Sequence, residues 1–305
     1  MTMHSPAADT DAVSRLTTPP AGPLVGTWRM IVKFSQRKPV GAASAGFILL
    51  LILMAIFGPL IAPYDPDAGD AARVLMGPNL SYPMGNDQVG RDIFSRILYG
   101  ARVSLRVSLS AVIFGSMVGT IIGTVSAYFE GWFDAILQRF VDALLAIPLI
   151  VIAIMLVSLV APTLNNLVAA LAIVIAPRAS RVARGSTLAV KHEMYVEAAR
   201  SLGATHTRII ARYILPNIFA PLLVLFTVTM GAAITAEASL AFLGLGPSTL
   251  ISWGRMLSAE GRQYMQVAWW MAVYPGVTIM LAVLAFNMFG DALRDVLDPR
   301  LRGSR

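Results

Sequence analysis

Residues 193–217 read EMYVEAARSLGATHTRIIARYILPN, and the pattern is helix, break, helix. Glu197, Ala198 and Ala199 are good helix formers, Gly203 stops the helix they build, and Thr205 can N-cap the next one. At helical spacing Tyr195, Ala198, Ala199 and Leu202 share one face, with Glu197 and Arg200 beside it. The stretch lies in a basic segment, 177–212, that holds seven of the chain's 24 Lys and Arg. A short, structured, basic protrusion suits docking on another protein. A solvated helical loop is the plainer reading of the same residues.

Outside this segment the chain is unusually apolar. Hydrophobic residues make up 56% of the 305 positions and charged residues 13%, against about 25% charged in an ordinary soluble domain. Mean hydropathy is +0.69. So much apolar surface requires lipid. The absence of Cys excludes disulfides, thiolate metal sites, thiol nucleophiles and iron–sulfur clusters. Three His supply a metal centre poorly. The net charge of +7 fits basic residues held on the cytoplasmic side better than nucleic-acid binding.

Six apolar runs are long enough to cross a bilayer. The first, 41–62, would extend about 33 Å as a helix, enough for a core of about 30 Å. It is too long for the core of a signal peptide. The others are 103–128, 140–160, a short run beginning near Pro162 and continuing past Pro177, 218–236, and 267–289. Residues 1–27 are polar and read as disordered. Residues 28–38 read either as a short basic amphipathic helix on the membrane surface or as an unstructured flank. There is no internal repeat.

Six spans put both termini on one side. Arg73, Arg91, Arg96, Arg102, Arg106, Arg255 and Arg262 fall on one face of the membrane, and the remaining 17 Lys and Arg on the other. The richer side is expected to be cytoplasmic, leaving residues 63–102 and 237–266 outside. The division is then a cytoplasmic N-terminal segment 1–40, a first helix 41–62, an outer segment 63–102, a core 103–290 with the cytoplasmic loop 177–216, and a tail 291–305.

Several positions invite roles. Gly115, Gly119 and Gly123 line one face of the second span. Such a face lets another helix approach closely, within this subunit or in a partner. In the outer segment Asp87 can cap an amphipathic helix through Ile93, Phe94, Ile97 and Leu98, with Arg91, Asp92 and Arg96 mostly off its apolar face. That helix suits the outer membrane surface, a landing site for another protein, or both. The Gly- and Pro-containing stretch after Glu237 reads as a re-entrant piece, which would put Glu237, Phe242, Leu243 and Gly244 at a pore or gate. Glu237 is either an interface residue or a contact for the amino group of a peptide. Glu130, Asp134 and Asp142, with Arg139 nearby, favour structural pairing over ion coupling.

The opening stretch resembles the EAA loop of ABC importer permeases: Glu197-Ala198-Ala199, three residues, Gly203, nine residues, then Tyr213 in place of Ile, and Leu215-Pro216. Beyond residue 40 nearly the whole chain is similar to the C-type permease of dipeptide and oligopeptide importers. The motifs are YPMGNDQVGRDIFSRILYGARVS from Tyr82, EASLAFLGLGPSTLISWGRML from Glu237 and GDALRDVLDPR from Gly290. The chain has only Pro247 where the family often carries a Pro-rich insert.

The resemblance implies an all-α, polytopic membrane protein with six transmembrane helices, the type I ABC importer permease fold and cytoplasmic termini. It implies no enzyme activity and no cofactor on this chain, with ATP and Mg on two partner ATPase subunits. A B-type permease, an extracytoplasmic solute-binding protein, the lipid bilayer and a peptide substrate complete the expected partners, without nucleic acid. Glutathione and metal chelates such as nickel are alternative cargoes within the same family. Tyr195, Val196, Glu197, Ala198, Ala199, Arg200, Ser201, Leu202 and Gly203 would form a coupling helix seated in an ATPase groove.

Two other classes fit less well. An ion-coupled secondary transporter would want an inverted repeat and a mid-span acid. An intramembrane zinc hydrolase would want His-Glu-x-x-His, which fails because Val196 follows Tyr195 after His192-Glu193. The chain also carries no phosphate-binding loop, as expected if ATP is hydrolysed elsewhere.

Overall fold

Pro39 opens the first long helix, α1 (Pro39–Ile61), at a position where its missing N–H costs nothing. The computed structural model describes residues 35–36, 38–258 and 263–297. The readings of residues 1–27, most of 28–38 and the tail beyond 297 lie outside them. α1 leaves Leu49, Leu53, Ile56, Phe57 and Leu60 exposed, as a lipid-facing helix would. One close approach is at Gly58, where a methyl group would stand 2.7 Å from the Leu98 carbonyl oxygen.

The remaining long helices are α2 (Ile93–Phe129), α5 (Leu164–Val190), α8 (Leu215–Phe242) and α10 (Trp270–Leu297). Between them lie α3 (Gly131–Ala146), α4 (Leu149–Ser158), α6 (Met194–Ser201), α7 (His206–Ile209) and α9 (Trp253–Met256). A π-helical turn, Ile210–Ile214, joins α7 to α8, so the fifth span runs unbroken from His206 to Phe242. The described residues contain five helices long and apolar enough to cross a membrane, or six spans when α3 and α4 count as one.

Two spans depart from expectation in ways that a cap and a proline explain. The second span begins ten residues earlier than its apolar run, because Asp92 caps α2 by accepting hydrogen bonds from the Ser95 N–H at 2.9 Å and the Ser95 hydroxyl at 2.6 Å. The expected separate helix capped by Asp87 is therefore the first turns of α2. At 37 residues, α2 is about 55 Å long and outreaches a hydrocarbon core of about 30 Å. The third span is broken. α3 and α4 meet at 93°, because Pro148 lacks an N–H and forces Ile147 into an extended conformation.

α2 and α5 pack more intimately than any other pair, and the glycine face explains why. Methyl groups on Gly119 and Gly123 would stand 2.2 Å from the Ala176 carbonyl oxygen and 2.1 Å from that of Ser180. Of the two readings of this face, the structure supports packing within the subunit. α5 continues past the buried Pro177 as expected. The charges at this end also pair structurally, though with α5 and the residue after it and not with Arg139. Arg184 donates to both carboxylate oxygens of Asp134 at 2.8 and 2.6 Å, and Arg181 pairs with Asp142. Lys191 pairs with Glu130 at 2.7 Å.

Candidate functional site

The helix–break–helix reading holds. α6 ends at Ser201, Gly203 takes φ +80° in the left-handed region that suits glycine, and the Thr205 hydroxyl accepts the Arg208 N–H at 3.4 Å. Val196 and Ala199 point inward. Val196 joins Tyr128, Ile209, Ile214 and Ile218 in a buried cluster that seats α6 on α2 and α8. Ala199 is buried too, so it does not share the outward face with Tyr195, Ala198 and Leu202 as the helical wheel implied.

That outward face is apolar and uncovered. Met194 is 84% exposed and Leu202 88% exposed, with Tyr195, Glu197, Ala198, Arg200 and Ser201 also at the surface. Among the described residues no side chain holds Glu197. Partial burial, helped by nearby Glu193, pushes the Tyr195 phenol up, so it stays neutral at neutral pH.

The base of the protrusion is tied down by polar contacts. The buried Lys191 ammonium donates to the Ala127 carbonyl at 3.1 Å, a free acceptor at the end of α2. The same ammonium, bonded to Glu130, holds that carboxyl below the usual carboxylate range. The Tyr128 hydroxyl lies 2.8 Å from Nδ1 of His206. These contacts tie the base of α6 to the ends of α2, α5 and α8.

At the opposite end the outer segment folds into a small knot on α2. Asp87 accepts the Val89 and Arg91 N–H groups, both at 2.9 Å, and the Arg91 side chain at 2.7 Å. Arg96 donates to the Pro66 carbonyl at 2.8 Å. Asp87, Asp92 and Arg96 are buried. Of the four residues expected to meet a binding protein, three hold the knot together from inside, and Arg91 is half-buried over it.

The stretch after Glu237 folds back on the helices. Trp253 is fully buried, with its indole N–H donating to the Ile97 carbonyl at 3.0 Å and its backbone N–H to the Ser104 hydroxyl at 3.2 Å. A methyl on Gly254 would stand 2.4 Å from Cα of Ala238, a contact that only glycine allows. This hook walls a cavity of about 160 Å³. Glu237 and Gly244 line it, together with Val103, Val107, Leu167, Ser252 and Arg255. Phe242 and Leu243, the other proposed gate residues, are exposed at the end of α8 and are not among its lining.

Sequence reading missed Ser252 and Arg255, which are 15 and 18 positions from Glu237 and reach its cavity only through the fold-back. It also missed the break at Pro148, whose signal was a proline in the middle of an apolar run. An apolar cavity of about 210 Å³ lies beside that break, lined by Leu145, Pro148, Leu171, Val174 and Ala233, with Arg178 among them.

Residues 115–303 match the family described as binding-protein-dependent transport system inner membrane component. Residues 26–78 match the N-terminal transmembrane domain of oligopeptide transport permease C. The chain is 42% identical over 279 residues to the glutathione transport system permease protein GsiD of Escherichia coli O6:K15:H31 (strain 536 / UPEC), covering 90% of this chain and 91% of that protein. It is equally similar to the protein of the same name from Shigella boydii serotype 4 (strain Sb227). Among solved structures, a chain of the MetNI methionine ABC transporter in inward-facing conformations superposes with a TM-score of 0.55 at 18% identity. That match covers 66% of this chain and 96% of the other, and likens the fold alone.

Proposed function

The chain belongs to the binding-protein-dependent transport system inner membrane components and is a permease subunit of an ABC importer, and from that premise we propose that it imports short peptides, glutathione among them. With a second, B-type permease it encloses the pathway. Two separate ATPase subunits hydrolyse ATP with Mg, and an extracytoplasmic binding protein delivers the cargo.

The single observation that carries this arrangement is the uncovered apolar face of α6. A surface bearing Met194, Tyr195 and Leu202 is unusual on a water-exposed protrusion and suits burial in a partner. The excess of Lys and Arg at that end supports placing it, and both termini, on the cytoplasmic side of the inner membrane. Residues 195–203 are then the coupling segment. Val196 and Ala199 anchor it, Gly203 turns the chain out, and Tyr195, Glu197, Ala198, Arg200, Ser201 and Leu202 meet the ATPase. At the outer end, the knot built by Asp87, Arg91, Asp92 and Arg96 is the landing surface for the binding protein. The cavity beside Glu237 belongs to the translocation pathway. The relatives' name, a glutathione transport permease, supports a small peptide as cargo.

The test is reconstitution of the complete complex in proteoliposomes, with uptake of glutathione and of trialanine followed separately. Accumulation of either that requires both ATP and the binding protein is expected. Accumulation of neither, or uptake driven by a proton gradient without ATP, refutes the proposal.

A further inference from the structure

Glu237 is 1% exposed, yet its carboxylate is incompletely satisfied. Oε2 has no hydrogen-bond partner, and no ion pair among the described residues includes this side chain. The hydroxyls of Ser252 and Ser104 are the polar groups beside it. Leaving a carboxylate buried and unpaired is expensive, and such groups are normally paired or used.

The acid lines a cavity and not a sealed core. The space of about 160 Å³ exceeds what one bridging water needs, about 10–15 Å³ on the same measure. Its walls are Val103, Val107 and Leu167 on one hand and the serine-rich hook on the other. Gly244 and Gly246 also line it and present no side chain to an entering group. Arg255 lines the same cavity but spends one N–H on the Pro247 carbonyl at 3.0 Å and does not pair with Glu237. A site with one unpaired buried carboxylate, hydroxyl groups around it and apolar walls is complementary to a primary ammonium on a short organic solute.

We infer that the cavity beside Glu237 is a subsite for the α-ammonium group of the peptide in transit, with the Glu237 carboxylate as its counter-charge. This rests on the reading of the cargo as a peptide. Glu237 lies five residues from the end of α8, at the end of the molecule where the outer knot lies. The peptide amino group therefore docks here early in its passage, and the apolar walls keep water from competing for the carboxylate.

The experiment uses the whole complex in proteoliposomes with the binding protein fully loaded in every case. Uptake is compared for glutathione against N-acetylglutathione, and for trialanine against N-acetyltrialanine. The wild type should carry the free-amine form about tenfold faster than its acetylated form, the factor expected for one hydrogen bond to a charged group. Glu237→Gln should lower free-amine uptake by about the same factor, leave acetylated uptake unchanged, and retain ATP hydrolysis stimulated by the binding protein. Glu237→Asp should keep the preference for the free amine.

Equal uptake of both forms by the wild type overturns the subsite, and so does an equal loss of both in Glu237→Gln. Either result leaves the peptide reading intact. If Glu237→Gln fails to assemble, the wild-type comparison and Glu237→Asp still decide. Import of no peptide in any form by the wild type overturns the cargo assignment and the subsite together.

Discussion

The Tyr128 hydroxyl, on the last full turn of α2, hydrogen-bonds the His206 ring that opens α7 across 2.8 Å. Seventy-eight residues apart in sequence, the two join the end of the second span to the helix that continues into the fifth. Tyr128 also contributes its ring to the cluster that buries Val196 of α6. Tyr128→Phe keeps the ring and removes only the hydroxyl, so it should cost about 1 kcal/mol of stability. The loss should be larger in transport per ATP hydrolysed than in assembly. Uptake and phosphate release measured on the same proteoliposomes check this. An unchanged ratio would mean that the joint does not transmit motion.

The glycine face gives a prediction with its own control. Gly119→Ala would put a methyl group 2.2 Å from a backbone oxygen of α5, and backbone cannot give way as a flexible side chain can. Forced separation of the helices should cost about 1–3 kcal/mol. Gly185, on α5, has nothing within 4 Å of its missing side chain, so Gly185→Ala should be neutral or slightly stabilising. Thermal unfolding of the two variants in detergent should separate them clearly.

The Glu130–Lys191 pair predicts a pH dependence. Its carboxyl is held below its ordinary value chiefly by the hydrogen bond to Lys191. The pair therefore adds stability at pH above the ordinary carboxylate range and loses it as pH falls through the depressed value of Glu130. Glu130→Gln should melt below the wild type at neutral pH. The two melting curves should converge in acid. A gap that stays constant across the titration would show that this pair does not set the dependence.

Gly203 turns the chain out of α6 at positive φ, with open space around its missing side chain. Gly203→Asp should still insert and assemble, since nothing clashes, while the altered turn misdirects α6. Glu197→Lys reverses a charge that no side chain among the described residues holds. Both should uncouple transport with normal amounts of protein in the membrane. Wild-type uptake at normal protein levels in either variant would sink the coupling assignment.

Much of this architecture is legible in residue pattern alone, because lipid imposes it. A run such as 41–62 has one stable fate in a bilayer, and α1 occupies nearly the same residues. The glycines at four-residue spacing and the Gly203–Thr205 break are equally local signals, and each does locally what its pattern implies. What escaped depends on tertiary partners. Asp87 and Asp92 are equally good caps in sequence. Asp92 serves because Asp87 is committed to Arg91 and its own loop. Ala199 lies on the apolar side of a helical wheel that cannot say which apolar residues face the cluster at Ile209 and which face out. The break at Pro148 vanishes when hydropathy is averaged over a span. The cavity at Glu237 exists only because Trp253 pins a distant loop onto α2.

If α6 is the cytoplasmic surface on which the ATPase docks, the chain's lack of cysteine allows a direct test. Leu202→Cys, just past the end of α6, and Leu80→Cys in the outer segment replace two exposed leucines. Each complex, in which this chain carries one cysteine, is treated in intact cells with a membrane-impermeant maleimide, then in opened membranes with a short cross-linker that has a maleimide at one end and a photoreactive group at the other. The account predicts that the cysteine at 202 resists the outside reagent and cross-links to the ATPase subunit. The cysteine at 80 should be labelled from outside and not cross-link to the ATPase. Labelling of position 202 from outside, without a cross-link to the ATPase, would contradict the account.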